Sequence, residues 1–317
     1  GKNYADITGG RDYNNSYYKY QIYNNGVINV GAYKDVNDGG QYMFEAAKGE
    51  NIGGLFGYNK GYVTAAYNTG AINADQSDSV GGIAGKNSGT LDQVFNTVMT
   101  SDGENAVISG DSNVGGLVGC NIGRIENAYN STAVRGQSDA TGYIVGLNEG
   151  TIDNVFDVVN DQYNLIGKNE KEDGITNLYQ LNSGDLTEVK LKDRDSYTSL
   201  ENDKWKFYNG YQTPLLKVFL TKAEYNGSID FSYNAQDQGL SIESVTAADG
   251  MKAYHNVNDL FMVLQNKDAG EYLAFYSDQI ALNNSGDEFN PNNLGYDIDV
   301  NYKINKASLS IILDDIS

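Results

Sequence analysis

A chain of 317 residues with 42 acidic and 22 basic side chains carries a net charge of −20, which argues against nucleic acid as a partner and against membrane insertion. One cysteine, one histidine and two prolines, beside 37 glycines and 25 tyrosines, exclude an internal disulfide framework and leave little for histidine-based metal or triad chemistry. Glycine and asparagine tolerate positive φ, so the composition suits short strands and tight turns better than helices.

In chain order, Gly1 to Gly10 lacks the basic start and apolar run of a signal peptide, and the chain reads as an excised piece. Tyr13, Tyr17, Tyr18, Tyr20 and Tyr23 form the densest tyrosine cluster. It reads first as an N-terminal cap over a stack edge, and second as an aromatic recognition surface. The segment from Asn24 to Tyr33 follows as a degenerate repeat in which Asn24, Gly26 and Ile28 hold the register.

The repeat itself is Gly-Gly-φ-φ-Gly-x-Asn-x-Gly, where φ is apolar. Its copies run from Gly53 to Gly61, Gly81 to Gly89, Gly115 to Gly123 and Gly142 to Gly150, with Tyr143 replacing the second glycine of the last. The third glycines are Gly57, Gly85, Gly119 and Gly146, and the asparagines Asn59, Asn87, Asn121 and Asn148. Asparagine spacings of 87−59=28, 121−87=34 and 148−121=27 define a solenoid period, with a surface insertion expected near Ser101 to Ser112.

Four residues after each asparagine stands an aliphatic (Val63, Leu91, Ile125, Ile152), seven after it Ala66, Val94, Ala128 or Val155, and eight after it an aromatic (Tyr67, Phe95, Tyr129, Phe156). One such unit is too short to bury a core. Stacked coils about 4.8 Å apart pair each strand with those above and below and put like over like. The expected interior ladders are Leu55, Ile83, Leu117 and Ile144, then the aliphatic series, then the aromatic one. The asparagine amides are expected to stack, and the flanking glycines to supply positive φ at the turn.

A fifth copy runs from Leu165 to Asn169 and resumes at Gly174 to Tyr179. From Gln180 to about Leu220 the period is lost, and Trp205, Phe207, Tyr208 and Tyr211 mark a cap and linker. Beyond Thr221 alternation returns, as in Tyr272 to Phe275 and Val300 to Ile304, and reads as a small β-sandwich-like module.

Little of this chemistry suggests catalysis. His255 stands alone in the C-terminal module, and Cys120 fills a variable position held elsewhere by Tyr58, Lys86 and Leu147. The glycine-rich motifs lack the Lys-Ser/Thr of a phosphate-binding loop. The acidic clusters Asp75 to Asp78, Asp102 to Asn105 and Asp185 to Asp195 offer hard oxygen ligands of the kind calcium takes, without matching a known calcium loop. Asp92, Glu126 and Asp153 all fall five residues after a motif asparagine. They supply the enzymatic alternative, since paired carboxylates on a β-helix are the equipment of polysaccharide lyases and glycosidases. Their recurrence in register favours ordinary exposed strand positions.

The run Val114 to Tyr129 resembles the GLUG motif of large bacterial surface proteins, among them filamentous-haemagglutinin-type adhesins exported by two-partner secretion. The stretch from Trp205 to Leu220 is similar to the segment that closes GLUG arrays, and Tyr225 to Gly227, Asp268 to Tyr272 and Tyr302 to Ala307 resemble the small β modules that follow them. The resemblance implies a secreted, cell-surface stalk or adhesive segment. Its implied partners are a host protein or glycan, with an outer-membrane transporter for the parent protein. It implies no catalytic residues, no resident metal and no cofactor.

The expected fold is therefore all-β: a right-handed parallel β-helix over 1–180, a cap and linker over 181–220, and a β-sandwich-like (Ig-like) module over 221–317.

Overall fold

The computed structural model describes residues 2–3, 10–11, 17–18, 22–24, 26–35, 42–97, 107–158, 164–180, 194–197, 199–207, 214–226, 229–239, 241–246, 265–274, 296–297 and 300–307. They fall into two compact units, Gly1–Val218 and Phe219–Ser317. The chain is all-β. Its only helical pieces among the described residues are short 3-10 turns at Glu172–Gly174, Arg194–Tyr197 and Lys217–Phe219, and no helix there is long and apolar enough to cross a membrane.

The first unit is built of four parallel sheets to which successive coils each add strands, an arrangement consistent with a parallel β-helix. A glycine-pair sheet holds Glu50–Gly53, Asp78–Gly81, Ser112–Gly115 and Thr141–Gly142. The motif sheet runs from Lys2–Asn3 through Phe56–Asn59, Ala84–Asn87, Val118–Asn121 and Val145–Asn148 to Ile166–Asn169. A long-strand sheet runs from Ile22–Asn24 through Tyr62–Asn68, Thr90–Asn96, Arg124–Asn130 and Thr151–Asp157 to Ile175–Gln180. A short sheet takes Ile28–Asn29, Ile72–Asn73, Val107–Ser109 and Ala133–Arg135. Register is strict: Leu91 pairs with Val63 and Ile125, and Asn87 with Asn59 and Asn121.

Strict register puts like side chains in columns, and among the described residues two apolar clusters follow from it. One joins Phe56, Ala84, Val118 and Val145 of the motif sheet to the Val63, Leu91, Ile125 and Ile152 series and the Ala66, Val94, Ala128 and Val155 series. Ile83, Leu117 and Ile144 lie in it, with Leu55 half-buried against it. The other joins Ile72, Ile108 and Val134 to Val80, Val114 and Tyr143.

Several local expectations differ from the structure. The aromatic series lies outside the first core column. Each long strand carries a left-handed residue six after the motif asparagine, at Ala65 (φ 57°), Gln93 (φ 53°), Asn127 (φ 50°) and Asn154 (φ 56°). That residue drops out of the ladder, since Thr64 pairs with Asp92 and Ala66 with Val94. The interruption makes positions four and seven both face inward, and throws the aromatic at position eight to the other face.

The motif glycines also act differently. None of Gly85, Gly119 and Gly146 has a left-handed φ; a Cβ on Gly85 would instead overlap the backbone of Asn51 and Ile52 in the preceding coil. Close approach of two backbones, rather than turn conformation, demands glycine there. Finally, Asn24 holds a register other than the motif's: it pairs with Asn68, and Ile28 with Ile72. Val107–Ser109 and Ser112, expected inside a surface insertion, are strand residues.

The described residues of this stretch, 194–197, 199–207 and 214–216, lie along the side of the stack rather than over its end. Trp205 meets Phe95 (6.0 Å between ring centroids) and Tyr129 (5.8 Å), while Tyr197 meets Tyr129 (6.4 Å) and Phe156 (5.3 Å). Tyr208 and Tyr211 fall outside the described residues.

In the second unit, Thr221–Asn226 pairs antiparallel with Ser241–Thr246 and parallel with Tyr296–Asp297. Val300–Asn305 pairs parallel with Asp230–Ser232 and antiparallel with Gly270–Ala274. Tyr302 and Ile304 are buried, and Tyr302 takes Tyr272 face to face (5.3 Å) and Phe231 edge-on (6.0 Å). Each of these two sheets is mixed, with one parallel and one antiparallel pairing.

Candidate functional site

Each motif asparagine sits at the end of a motif strand, where the chain must turn into the long strand. Asn59 closes that turn on itself: Gly61 N–H donates to its Oδ1 (3.2 Å) and its Nδ2 donates to the Gly61 carbonyl (3.1 Å). The same amide also bonds the next coil. Asn59 Nδ2 donates to Asn87 Oδ1 (2.9 Å), Asn87 to Asn121 (2.9 Å), Asn121 to Asn148 (2.8 Å) and Asn148 to Asn169 (2.9 Å). Asn59, Asn87, Asn121 and Asn148 are fully buried, so the ladder satisfies groups that would otherwise be costly.

A second ladder, missed in the sequence, stands nine residues after the motif asparagine. Asn24 donates to Asn68 (2.8 Å), Asn68 to Asn96 (2.7 Å), Asn96 to Asn130 (2.9 Å) and Asn130 to Asp157 (3.2 Å). Its turn chemistry is the same, with Gly70 N–H donating to Asn68 Oδ1 and Gly26 N–H to Asn24 Oδ1. This explains the register of Asn24: Asn-x-Gly-x-aliphatic marks both corners of the coil. The aromatic-Asn pairs Tyr67-Asn68, Phe95-Asn96 and Tyr129-Asn130 were the available signal.

The outer face of the long-strand sheet brings together the chemically active side chains. Thr64, Asp92, Glu126, Asp153 and Thr176 form one column by register. Asp92 accepts from Tyr62 Oη (2.9 Å), Gln93 Nε2 (3.0 Å) and Asn127 Nδ2 (2.8 Å). Arg124 Nε donates to Glu126 (2.7 Å), and its Nη2 lies 3.8 Å from Asp153. Asp153 also accepts from Thr176 (2.8 Å) and Asn177 (3.1 Å). Asp92 and Asp153 thus accept from neighbouring coils, and Glu126 is held by Arg124 of its own strand. Burial and the Asp92 hydrogen bond push the Tyr62 hydroxyl up to about 12, and the Glu126 hydrogen bond raises the Arg124 guanidinium.

Beside that column runs the aromatic stack, with Tyr23 on Tyr67 (5.2 Å), Tyr67 on Phe95 (5.1 Å), Phe95 on Tyr129 (5.3 Å) and Phe156 on Tyr179 (4.9 Å). Asn154 Nδ2 donates to Asn127 Oδ1 (2.6 Å) and to the Ser199 carbonyl (3.1 Å), and Ser199 Oγ donates back to Asn154 Oδ1. The lateral segment is therefore joined to the stack by polar and aromatic contacts at once.

The remaining sequence candidates are dispersed. Tyr17–Tyr18 is a strand paired with Gly10–Arg11, and Tyr13, Tyr20, His255 and the cluster from Asp102 to Asn105 lie outside the described residues. Asp78 is taken by Lys48 (3.3 Å) and Ser112 (2.5 Å), and among the described residues no acidic, histidine or cysteine group forms a metal cluster. Cys120 is buried, which pushes its thiol up.

A stack of repeating coils with polar ladders at its corners defines a repeat protein of the β-solenoid kind. Residues 110–135 match the family model of the GLUG motif; they span the coil formed by Ser112–Gly115, Val118–Asn121, Arg124–Asn130 and Ala133–Arg135. The chain thus carries a GLUG repeat region, a motif found in secreted surface proteins of adhesin type. No curated protein and no solved structure matches the chain.

Proposed function

We propose that this chain is a segment of a large secreted bacterial surface adhesin. A right-handed parallel β-helix serves as an elongated stalk and presents binding surface toward a host protein or glycan. The right hand is the one that strand-to-parallel-strand connections take almost without exception. In this reading the parent protein leaves the cell through the outer-membrane transporter of a two-partner system, and the second unit is a small β-sandwich-like (Ig-like) module. No cofactor takes part; calcium at the acidic loops would be structural.

The observation that carries this reading is the GLUG coil repeated in register, with its polar side chains spent on bonds between coils. A catalytic pair is singular and needs a free acid and base, whereas Asp92, Glu126 and Asp153 recur at one position and each is held by donors. The second reading, a carbohydrate-active β-helix, rests on the same column, because parallel strands about 4.8 Å apart set neighbouring carboxylates close together.

Binding of the purified chain to a glycan and extracellular-matrix array, followed by mass spectrometry of the eluted glycans, separates the two. Capture of intact ligand supports the adhesive module and names its partner class. Shortened glycans replace it with the enzyme, and no capture leaves a stalk without binding surface.

A further inference from the structure

Among the described residues, each coil of the four parallel sheets pairs its strands only with the coil before and the coil after it. A stack of that kind opens one coil at a time unless something ties distant coils together. The lateral segment does so. Counting coils by their motif strands, from Phe56–Asn59 in the first to Ile166–Asn169 in the fifth, Phe95 belongs to the second, Tyr129 to the third and Phe156 to the fourth. Trp205 straddles the seam between the second and third coils, with its ring centroid 6.0 Å from Phe95 and 5.8 Å from Tyr129. Tyr197 straddles the next seam, 6.4 Å from Tyr129 and 5.3 Å from Phe156. Phe95 and Tyr129 lie with 8° between their planes, whereas the two incoming rings are tilted by 52° to 59°, so they key into the edges of the stack instead of extending it.

A polar thread follows the same path. Asn127 of the third coil donates to Asp92 of the second (2.8 Å), Asn154 of the fourth to Asn127 (2.6 Å), and Asn154 also to the Ser199 carbonyl (3.1 Å). Tyr129 of the third coil bonds the Pro214 carbonyl (2.7 Å). The segment also holds its own shape. Trp205–Lys206 pairs with Leu215–Leu216, Trp205 N–H donates to the Glu201 carbonyl (2.9 Å) and Lys217 N–H to the Lys204 carbonyl (2.9 Å). Tyr197, Leu200, Trp205, Leu215 and Leu216 are all buried.

Chain order gives this brace a direction of load. The chain runs from the fifth coil to the lateral segment, and from Leu216 through Lys217–Phe219 into the second unit. Tension arriving from the second unit therefore reaches the lateral segment before it reaches the fifth coil. We propose that the lateral segment is a load-bearing clamp. It passes tension directly into the second, third and fourth coils and makes them give way together, where an unclamped stack is peeled coil by coil from the fifth. The proposal rests on the stalk reading for the origin of the tension and on the contacts of Trp205, Tyr197 and Ser199 for how it is borne.

Pulling single molecules tests it. Handles on Gly1→Cys and Lys217→Cys, in a Cys120→Ser background of the whole chain, load the first unit alone. The expected trace is one event that lengthens the chain by more than about 300 Å, the extended length of three coils. A staircase of single-coil steps, about 90–100 Å each, would overturn the proposal, as would an early and separate release of the segment. Tyr197→Leu keeps apolar bulk but removes the ring from the seam between the third and fourth coils, and is expected to convert the single event into that staircase at a lower force. A single event at unchanged force in this variant would also overturn it. Should the variant fail to stack by far-ultraviolet circular dichroism, the trace of the chain with Tyr197 intact decides alone. Glycan capture and the force trace are read separately, so a chain that binds nothing can still clamp and one that binds can still peel.

Discussion

Tyr129 donates its hydroxyl to the Pro214 carbonyl oxygen at 2.7 Å, across 85 residues of sequence. Its ring stacks on Phe95 and meets Trp205, so one side chain serves as a rung of the aromatic stack and as the anchor of the lateral segment. Tyr129→Phe keeps the ring and leaves the buried carbonyl unpaired, and is expected to cost about 1–2 kcal/mol. Trp205→Ala removes the fully buried indole and is expected to cost about 3–5 kcal/mol. Trp205 is the only tryptophan, so its fluorescence follows urea unfolding of Tyr129→Phe, and far-ultraviolet circular dichroism follows Trp205→Ala. Equal losses for both would show that the segment rests on the hydrogen bond rather than on packing.

Asn96 gives the ladders an energetic test. It accepts from Asn68 (2.7 Å), donates to Asn130 (2.9 Å) and is fully buried. Asn96→Ala leaves an Asn68 N–H without its acceptor, removes one of the two bonds to Asn130 Oδ1 and opens a cavity, for an expected loss of about 2–4 kcal/mol in urea unfolding. A loss under about 0.5 kcal/mol, the range of ordinary surface substitutions, would mean the ladder contributes nothing.

Gly85 and Gly26 separate close approach from turn conformation. A Cβ at Gly85 meets backbone atoms of Asn51 and Ile52 that have no rotamer to change, whereas at Gly26 the nearest atom is Asn24 Oδ1 at 3.6 Å. Gly85→Ala is expected to cost about 3 kcal/mol or more, at the upper end of overpacking penalties, and Gly26→Ala less than about 1 kcal/mol, on the scale of a Gly-to-Ala exchange. Thermal unfolding of the two variants side by side checks the contrast, and similar shifts would refute it.

Tyr62 carries the pH dependence. Its hydroxyl donates to Asp92, and burial first, then that hydrogen bond, raise it from the usual 10.0 to about 12. A group whose folded value is raised contributes stability that is whole below its unfolded value and is lost as pH climbs through the folded one. The difference in urea midpoint between the parent chain and Tyr62→Phe is therefore expected to hold up to about pH 10 and shrink toward about pH 12. A difference that stays constant across that interval would exclude the Tyr62–Asp92 bond as its source.

The legible part of this fold is what repetition writes into sequence. Asn59 to Asn148 and Val63 to Ile152 are spaced by the coil itself, so their columns follow from counting. The aromatic column could not be placed by counting, because the left-handed residues Gln93 and Asn127 shift strand alternation by one, and neither residue type forces that conformation. The second ladder was hidden because Asn68 and Asn96 follow aromatics outside the glycine motif. Tyr129–Pro214 was invisible for another reason: the lateral segment has no period, and its docking depends on a face whose direction the shifted alternation sets.

That shift can itself be altered. Ala65 holds φ 57° within a long strand, where later coils place Asn127, Asn154 and Asn177 at φ 50°, 56° and 49°. A left-handed backbone costs an alanine about 1–2 kcal/mol through its Cβ, and asparagine and glycine less. Glycine returns part of that gain as chain entropy, about 0.5–1 kcal/mol. Ala65→Gly is therefore expected to raise stability by up to about 1 kcal/mol, and Ala65→Asn to do so without the entropic loss. Ala65→Val, β-branched and unsuited to positive φ, is expected to lower it. The measurement is the urea midpoint of the three variants. The order Asn or Gly above Ala above Val follows if the left-handed residue is a fixed part of each coil; Val equal to Ala would mean that the strand at Ala65 relaxes to regular alternation, and Tyr67 would then turn away from the aromatic stack.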